Sequence, residues 1–300
     1  MATRHPVVAG TFYPGDETRA RREVQRALQQ AKTVELPGPI RAGVVPHAGW
    51  SFSGVTAAHF FRALGSQEPP DTFILLGAVH RWGVDAAAIY PSGSWQTPLG
   101  QVPIDEQLAE EALAIGGKTL AQAPQAHQDE HSIEVQLPFI QQLYPEAGAG
   151  CAASCAILPV AVPPESDAQE AGRLLARAAE NLGRQVVAVA SSDLTHYGPR
   201  YGMAPAGVGE AALEWTHRND RRIIDQMLEM RADEVLREAQ SHHNACGAGA
   251  IAAAIAFAQY TGANEARLLA YTTSHEVMPM GTPRDMVGYA AVAFCVSASG

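Results

Sequence analysis

Short apolar runs alternate with amphipathic stretches along this chain, and that alternation restricts its fold more than any other feature. Thr72–Gly77 (TFILLG) and Gln185–Ala190 (QVVAVA) are almost continuously apolar, as expected of strands that are covered on both faces. Similar patterns predict strands at Arg41–Pro46, Ala86–Tyr90, Ala156–Val162, Arg267–Thr272 and Val287–Val296. The intervening patterns predict helices at Gly54–Leu64, Asp105–Ala114, Ser132–Leu143, Asp167–Leu182, Glu210–Met230, Ala232–Gln240 and Gly247–Gln259. This order predicts a three-layer α/β/α fold with a mostly parallel or mixed central sheet, and we expect residues 1–300 to form one domain.

The charge balance argues against several classes of partner. Charged residues make up 17% of the chain and its net charge is −10, so no basic face is available for nucleic acid. No polybasic segment suggests an anionic membrane surface. The longest apolar run, Ala248–Ala258, is shorter than the roughly 20 residues of a membrane span, and we interpret it as a buried helix. We therefore expect neither a nucleic-acid nor a membrane partner.

Cysteine content and the first residues favour a cytoplasmic location. Residues 1–14 contain no apolar core of the kind that signal peptides carry. Four cysteines in 300 residues are too few for a disulfide framework. Cys151 and Cys155 form a CxxxC pair, but no second pair accompanies them, so we interpret them as small residues leading into a strand.

Polar residues follow several predicted strands at the point where each strand ends. His47 follows the strand that ends at Pro46, His80 follows Thr72–Gly77, and Asp193 and His196 follow Gln185–Ala190. In open α/β sheets, ligands bind in the crevice outside the carboxyl ends of the strands. Histidine is the commonest metal ligand and the usual general base near neutral pH. Three histidines at equivalent strand ends therefore predict a metal or acid–base site there.

Cys246 is the fourth candidate. It comes just before the predicted Ala-rich helix, where free N–H groups and the helix dipole favour thiolate over thiol. A thiolate is both a nucleophile and a soft metal ligand. The alternative is a buried, unreactive cysteine among small residues.

A cluster of acids and a histidine runs from Asp129 to Glu134. His131 and Glu134 are three residues apart, which would place them on one face of a helix that Ser132 could cap. They would then bind a metal directly or orient ligands and substrate; the alternative is an acid-rich helix start. Four further residues close to the histidines are expected to line a substrate pocket or support the site: Trp50, Trp82, Ser192 and Tyr197.

Several long motifs together resemble one known family. They are Ala9–Pro14 (AGTFYP), Pro46–Gly54 (PHAGWSFSG), Asp129–Glu134 (DEHSIE), Ser192–Tyr197 (SDLTHY) and Asn244–Gly247 (NACG). These segments are similar to the signature segments of the Memo family, whose bacterial and archaeal members are called AmmeMemoRadiSam system protein B. The motifs appear in family order over nearly the whole chain.

The resemblance implies a fold similar to the LigB-type class III extradiol dioxygenases and a metal pocket. His47, His80 and Cys246 match the metal ligands, His196 matches the acid–base histidine of the dioxygenases, and Asp193 would orient His196 or act as an extra ligand. Those dioxygenases hold iron(II) with two histidines and a carboxylate, so the cysteine is a departure. The resemblance implies iron(II) first, with copper or zinc as alternatives.

Three functions follow from these expectations. The first is metal-dependent redox chemistry on an unknown small substrate. The second is a non-catalytic module that binds a small ligand or peptide and works with a radical-SAM protein and an AMMECR-like protein, as the resemblance implies. The third is a zinc hydrolase with Glu134 or His196 as base. The apolar content would also permit a homodimer.

Overall fold

The computed structural model of the protein describes residues 2–80, 85–143, 156–165 and 167–297, so Trp82, Cys151 and Cys155 lie outside the described residues. Its strands are β1 (Thr3–Arg4), β2 (Ile40–Val45), β3 (Thr72–Gly77), β4 (Ala87–Ile89), β5 (Ser94–Thr97), β6 (Gly100–Pro103), β7 (Leu120–Gln122), β8 (Ala156–Ala161), β9 (Val186–Ser191), β10 (His196–Tyr197), β11 (Glu265–Thr273) and β12 (Met286–Cys295). Its helices are α1 (Glu17–Gln30), α2 (Trp50–Leu64), α3 (Glu106–Ile115), α4 (Leu137–Gln142), α5 (Ala168–Asn181), α6 (Glu210–Leu228), α7 (Ala232–His242), α8 (Ala248–Tyr260) and α9 (Ser274–Val277).

A mixed nine-stranded sheet, counted over the described residues, forms the centre of the molecule. Its order is β10-β12-β2-β9-β3-β8-β4-β7, and β11 also pairs with β12. The four strands β2, β9, β3 and β8 are parallel to their neighbours within this group, whereas β12 runs antiparallel to β2 and β4 runs antiparallel to β8. The prediction of a mostly parallel or mixed sheet is confirmed.

Apolar side chains cover both faces of the sheet. Along β3, Ile74 and Leu76 belong to the core beneath α5 and α8, whereas Phe73 and Leu75 belong to the opposite core beneath α2 and α4. This alternation is the two-residue period of a strand, and full burial of each large side chain contributes about 1.5–3 kcal/mol. Helices on both faces of the sheet give the three predicted layers.

Small residues let the Ala-rich helix α8 lie close to its neighbours. A Cβ atom on Gly172 of α5 would lie 2.1 Å from the carbonyl oxygen of Ala253, and one on Gly249 would lie 2.1 Å from that of Pro163. The run Ala248–Ala258 is buried throughout, which confirms the buried helix. No helix in the described parts of the chain is both long enough and apolar enough to cross a membrane. This close packing fixes the start of α8, and with it Cys246, against the sheet.

The segment predicted as one helix from Ser132 to Leu143 is divided differently in the structure. A 3-10 turn covers Glu134–Gln136, and regular helix begins only at Leu137. Pro138 lacks an N–H and its ring would clash with the preceding turn, so a continuous α-helix cannot run through it. His131 consequently precedes the helix, and it does not share a helix face with Glu134.

Several elements were not predicted from the sequence. Helix α1 is strongly polar but begins at a well-formed cap, since the Asp16 side chain accepts a hydrogen bond from Arg19 N at 2.9 Å. Strands β5 and β6 form a hairpin whose short sequence lacks a long apolar run. The N-terminal strand β1 pairs with β5 and brings residues 3–13 toward the site.

Candidate metal centre

The predicted ligands come from adjacent parts of the fold. Strands β2, β9 and β3 are neighbours and run parallel, so their carboxyl ends meet at one edge of the sheet. His47 and His80 follow β2 and β3, and Cys246 reaches them from the segment before α8. Their potential ligand atoms all lie within 4.8 Å of one another, and Cys246 Sγ is 3.3 Å from His47 Nε2. The structure therefore brings together three residues that span two hundred positions of the chain.

The hydrogen bonds of Ser191 determine which nitrogen of His47 carries its proton. The Ser191 hydroxyl donates its single proton to the carbonyl oxygen of Ser132 at 2.6 Å. Its lone pairs then accept from the Gln136 amide at 3.0 Å and from His47 Nδ1 at 3.2 Å. Because Nδ1 is the donor, Nε2 of the neutral imidazole is left with a lone pair beside Cys246.

Glu130 does the same for His80. Its carboxylate oxygens both lie 3.0 Å from His80 Nδ1, and it also accepts from the backbone N–H of His80 at 3.1 Å. The N–H groups of His131 and Ser132 each donate to Glu130 Oε1 at 2.8 Å. A carboxylate is an acceptor only, so His80 Nδ1 carries the proton and Nε2 is free for a ligand. Glu130 belongs to the acidic cluster Asp129–Glu134, but the sequence did not predict it as a site residue.

Without a metal, the three side chains form a cluster of opposite charges. Burial opposes charge on His47, but the nearby Cys246 and Asp193 raise its pKa to about 9. Burial likewise opposes charge on His80, and Cys246 and Glu130 raise its pKa to about 10. Burial opposes the thiolate of Cys246, whereas His47 and His80 lower its pKa to about 6. The sulfur is thus a thiolate at neutral pH, which is the form that binds metals.

Asp193 connects the elements that carry these ligands. Its Oδ1 accepts from His47 N at 2.8 Å and from Ala48 N at 3.3 Å. Its backbone oxygen accepts from Cys246 N at 3.3 Å. Its second carboxylate oxygen is 4.0 Å from His196 Nε2, a buried atom with no hydrogen-bond partner in the described structure. One residue therefore holds two ligand-bearing segments and faces the predicted acid–base histidine.

Ser192, one of the residues predicted beside the site, contacts the segment that carries Cys246. Its hydroxyl donates to Asp193 O at 2.8 Å and accepts from Gly247 N at 2.9 Å, and it lies 3.9 Å from Cys246 Sγ. A Cβ atom on Gly247 would lie 2.7 Å from Ser191 O, so glycine is required where the chain turns into α8. Cys246 precedes the first helical residue by two positions.

His131 lies over the cluster. Its ring centroid is 5.0 Å from that of His80, in a stacked arrangement, and 5.4 Å from that of His47. Burial and the neighbouring charge of His47 lower the pKa of His131 to about 4, so its imidazole is neutral. With His80 and Glu130 it forms a second group of potential ligand atoms. Since Glu130 already bonds His80 Nδ1, this group is better suited to orienting His80 than to holding a second ion.

A cavity of about 740 Å³ opens over the imidazoles. His47, His80, His131, Asp193 and His196 line its inner part. Aromatic and methionine side chains line its walls, and Arg200 and Arg284 also reach it. Its size is that of a small-molecule site. The arrangement offers a place for a ligand next to His47 and His80, two of the three potential metal ligands, and next to His196.

Comparison with known proteins settles the family. The model of the family described as "Memo-like protein" matches residues 4–293. A MEMO1 family protein of Thermococcus onnurineus is 39% identical over 298 residues, covering 97% of this chain and 99% of that protein. A MEMO1 family protein of Pyrococcus abyssi is also 39% identical, covering 96% and 98%. The chain belongs to the Memo family.

A solved structure supports the fold of this Memo-family chain. An uncharacterized protein of Escherichia coli K12 superposes with a TM-score of 0.53 at 12% sequence identity. The superposition covers 84% of this chain and 99% of that protein. At this identity, the likeness concerns the fold alone.

Two described residues that were expected near the pocket, Trp50 and Tyr197, do not line it. Trp50 is buried between Tyr13 and Phe139, and its indole N–H donates to Val135 O at 3.2 Å. Tyr197 is fully buried in a separate small core, where its hydroxyl bonds the backbone of residues 206 and 207. Trp50 packs against α4 through Phe139, and Tyr197 packs against α6 through Trp215. They are corrected from pocket residues to core residues.

Glu134 is also directed away from the cluster. It is fully buried and binds the N-terminal segment: Arg4 Nη1 at 2.6 Å, Val7 N at 2.8 Å, Val8 N at 3.0 Å and the Tyr13 hydroxyl at 2.9 Å. It is not in either group of potential metal ligands. Its contacts hold the segment that carries Phe12, whose ring is 4.9 Å from that of His131. Glu134 thus shapes the cavity through the N-terminal segment and contacts no candidate ligand.

Proposed function

We propose that His47 Nε2, His80 Nε2 and Cys246 Sγ bind one metal ion, and that the protein uses it for redox chemistry on a small substrate in the adjoining cavity. The observation that supports this most is the fixed protonation of both imidazoles. Ser191 and Glu130 occupy the two Nδ1 atoms, so both Nε2 atoms face one thiolate and would bind a metal on giving up their protons. Metal-binding histidines typically have this kind of partner on the other nitrogen.

The donor set favours iron(II), with copper or zinc also compatible. Imidazole suits iron, copper and zinc, and a thiolate shifts preference toward softer ions. Three protein ligands leave a position open for a substrate, whereas a structural zinc site usually has four. When bound, iron or copper would supply electron transfer to a coordinated substrate, whereas zinc would supply Lewis acidity only. A thiolate ligand also suits the reducing cytoplasm, where we place the protein.

The chain's own residues would manage protons and position. His196 lines the cavity with an unpartnered Nε2 beside Asp193, so it is the group proposed to donate or accept a proton. Asp193 holds His47 by its backbone and orients His196. His131, neutral and stacked on His80, shields the imidazoles from water on one side.

Metal uptake tests the proposal. Metal-free protein is reconstituted anaerobically with iron(II), copper(I) or zinc(II), and bound metal is measured after desalting. We expect about one ion per chain for the wild type and loss of tight binding in Cys246→Ser and His80→Gln. Cys295→Ala, which changes the other free cysteine among the described residues, should bind normally. Absence of uptake of all three ions by the wild type, or equal uptake by Cys246→Ser, would refute the metal site.

Turnover tests the redox step separately. The iron-loaded protein is supplied with oxygen and a panel of small reductants, and oxygen consumption is recorded. We expect consumption that depends on metal and falls in His196→Gln while bound iron is unchanged. Tight iron binding without any consumption across the panel would favour the second candidate, a ligand- or peptide-binding module.

The binding-module alternative has one specific observation in its favour. Met278 and Met280 line the cavity and are 41% and 73% exposed, and flexible methionines suit adaptable binding surfaces. In that function the proposed partners are a radical-SAM protein and an AMMECR-like protein. Pull-down with each partner before and after chelation distinguishes the two functions, because a simple module would keep its affinity without metal.

A further inference from the structure

Two arginines line the cavity of a protein that is acidic overall. Arg200 lies just after β10, and Arg284 lies two residues before β12. The net charge of the chain is −10, so its surface as a whole repels anions. Asp193 and Asp285 also line the cavity, but each accepts a hydrogen bond from a backbone N–H group, so the arginines are the charged donors left for a ligand. Such donors attract anionic ligands despite the acidic background.

Asp285 holds both arginines in place. Its Oδ1 accepts from the backbone N–H of Arg200 at 2.9 Å, and its Oδ2 lies 3.5 Å from Arg284 Nε. Gly198 makes room for this carboxylate, because a Cβ atom there would lie 2.4 Å from Asp285 Oδ1 and the residue has a φ of 125°. The two segments are therefore fixed to each other at the edge of the cavity.

The guanidinium of Arg200 has no hydrogen bond or ion pair with the described residues, since its only such contact is through its backbone N–H. Asp285 is already engaged by a backbone group and by Arg284. Arg200 lines the cavity, and its planar set of donors has no protein acceptor among the described residues. Such a group matches a carboxylate or phosphate in two-point hydrogen bonding.

The walls between the arginines and the imidazoles are largely apolar. Phe12, Phe52, Tyr201, Tyr289 and Met278 are among the lining residues. A ligand that spans from the mouth to the histidines would therefore have an apolar middle portion. Aromatic faces and a methionine favour a flat or unsaturated one.

We infer that the cavity binds a small organic anion whose carboxylate or phosphate meets Arg200 and Arg284 and whose apolar body lies against the aromatic walls. This inference rests on the proposed function in that the far end of the ligand would reach the metal. Binding of the anionic group by the two arginines does not require the metal. The arginines then select the substrate and set its direction in the cavity.

Matched naphthyl probes test this. Binding of 2-naphthoate, 2-naphthyl phosphate and neutral 2-naphthamide is measured by fluorescence titration with metal-free and zinc-loaded protein. We expect at least one anion to bind about tenfold or more tightly than the amide in both forms, because charge-assisted hydrogen bonds are stronger than neutral ones. Arg200→Gln and Arg284→Gln should each remove most of that preference. Arg218→Gln, an exposed arginine that pairs with Glu214 on α6, should leave it unchanged.

The outcomes separate the two proposals. The naphthoate-to-phosphate ratio identifies which anionic group the mouth prefers, and either preference supports the inference. Equal binding of all three probes, no binding of either anion, or a preference that survives both arginine substitutions would overturn it. A preference seen only with zinc present would also overturn it, because the metal alone would then bind the anion. Failure of metal uptake leaves the metal-free measurement valid, so it would refute only the proposed function.

Discussion

Replacing Glu130 with glutamine tests whether the carboxylate behind His80 sets metal affinity. Glu130 is 2% exposed and accepts from three backbone N–H groups as well as from His80 Nδ1. The single oxygen of glutamine fits best where two backbone donors, His131 N and Ser132 N, meet Oε1. Its NH₂ group then faces the N–H and Nδ1–H of His80, where an acceptor is needed.

The expected loss follows from that mismatch. His80 must rotate or move its proton to Nε2, and either change weakens its lone pair toward the metal. Loss of such an outer carboxylate typically costs tenfold to a hundredfold in metal affinity. This corresponds to about 1.4–2.7 kcal/mol. We expect Glu130→Gln to fold and to bind zinc(II) or iron(II) with affinity reduced by that factor.

The matched control is Glu134→Gln, which removes a second buried carboxylate from the same segment. Glu134 bonds Arg4, Tyr13 and two backbone N–H groups but no candidate ligand. Its loss should lower the free energy of unfolding by about 1.5–3 kcal/mol, as for hydrogen bonds to charged groups, with little change in metal affinity. Affinity is measured by competition with a chromophoric chelator, and stability by urea unfolding of metal-free protein. Wild-type affinity in Glu130→Gln, or equal losses in both variants, would refute the reasoning.

Three further predictions concern the same region. Ser191→Ala removes the acceptor for His47 Nδ1, and we expect roughly tenfold to hundredfold weaker metal binding in the same chelator assay. Metal must displace protons from His47 and His80, with pKa values of about 9 and 10, but not from Cys246, with a pKa of about 6. The apparent zinc affinity should therefore rise between pH 7 and 9 by roughly two decades per pH unit, and a flat profile would contradict this. Burial raises the pKa of Asp220 to about 7, so the folded state holds a proton that the unfolded state releases. Stability should fall by up to about 1.4 kcal/mol per unit from pH 4 to 7, and Asp220→Asn should flatten that slope in urea unfolding.

The strands of the central sheet were largely predictable because burial on both faces leaves a signal in the sequence. β3 was predicted to the residue, and β9 within one. The elements that were missed lack that signal. Helix α1 has few apolar positions, and β5 and β6 are four residues each. The helix was predicted to begin at Ser132, but Pro138 prevents a regular α-helical turn before it.

The ligand candidates were predictable and most of their supporting residues were not. His47, His80 and Cys246 stand at strand or helix ends, where topology alone brings them to one edge of the sheet. Whether a neighbouring polar side chain faces the site depends on local turns. Glu130 and Glu134 are four residues apart, yet one holds His80 and the other holds the N-terminus. Ser191 ends β9 and Arg200 lies in a short turn, and nothing in their sequence distinguishes them from ordinary surface or strand-end residues.

Asp193 has two proposed roles, and replacing one of its carboxylate oxygens with NH₂ can separate them. Its Oδ1 accepts from two backbone N–H groups beside His47, and its other oxygen faces His196 at 4.0 Å. In Asp193→Asn the amide oxygen is expected to take the place of Oδ1, because only an acceptor satisfies two N–H donors. The amide NH₂ then faces His196 and cannot accept a proton from it.

We therefore expect Asp193→Asn to keep metal affinity within a fewfold of wild type and to lose most metal-dependent oxygen consumption. Asp193→Ala should lose both, since it also frees the backbone of His47. The two variants are compared by chelator competition and by oxygen consumption at equal metal loading. If Asp193→Asn lost metal as completely as Asp193→Ala, the carboxylate charge itself, rather than its acceptor geometry, would be what holds the site together. If it kept full consumption, His196 would act without Asp193, and the proposed proton path would be wrong.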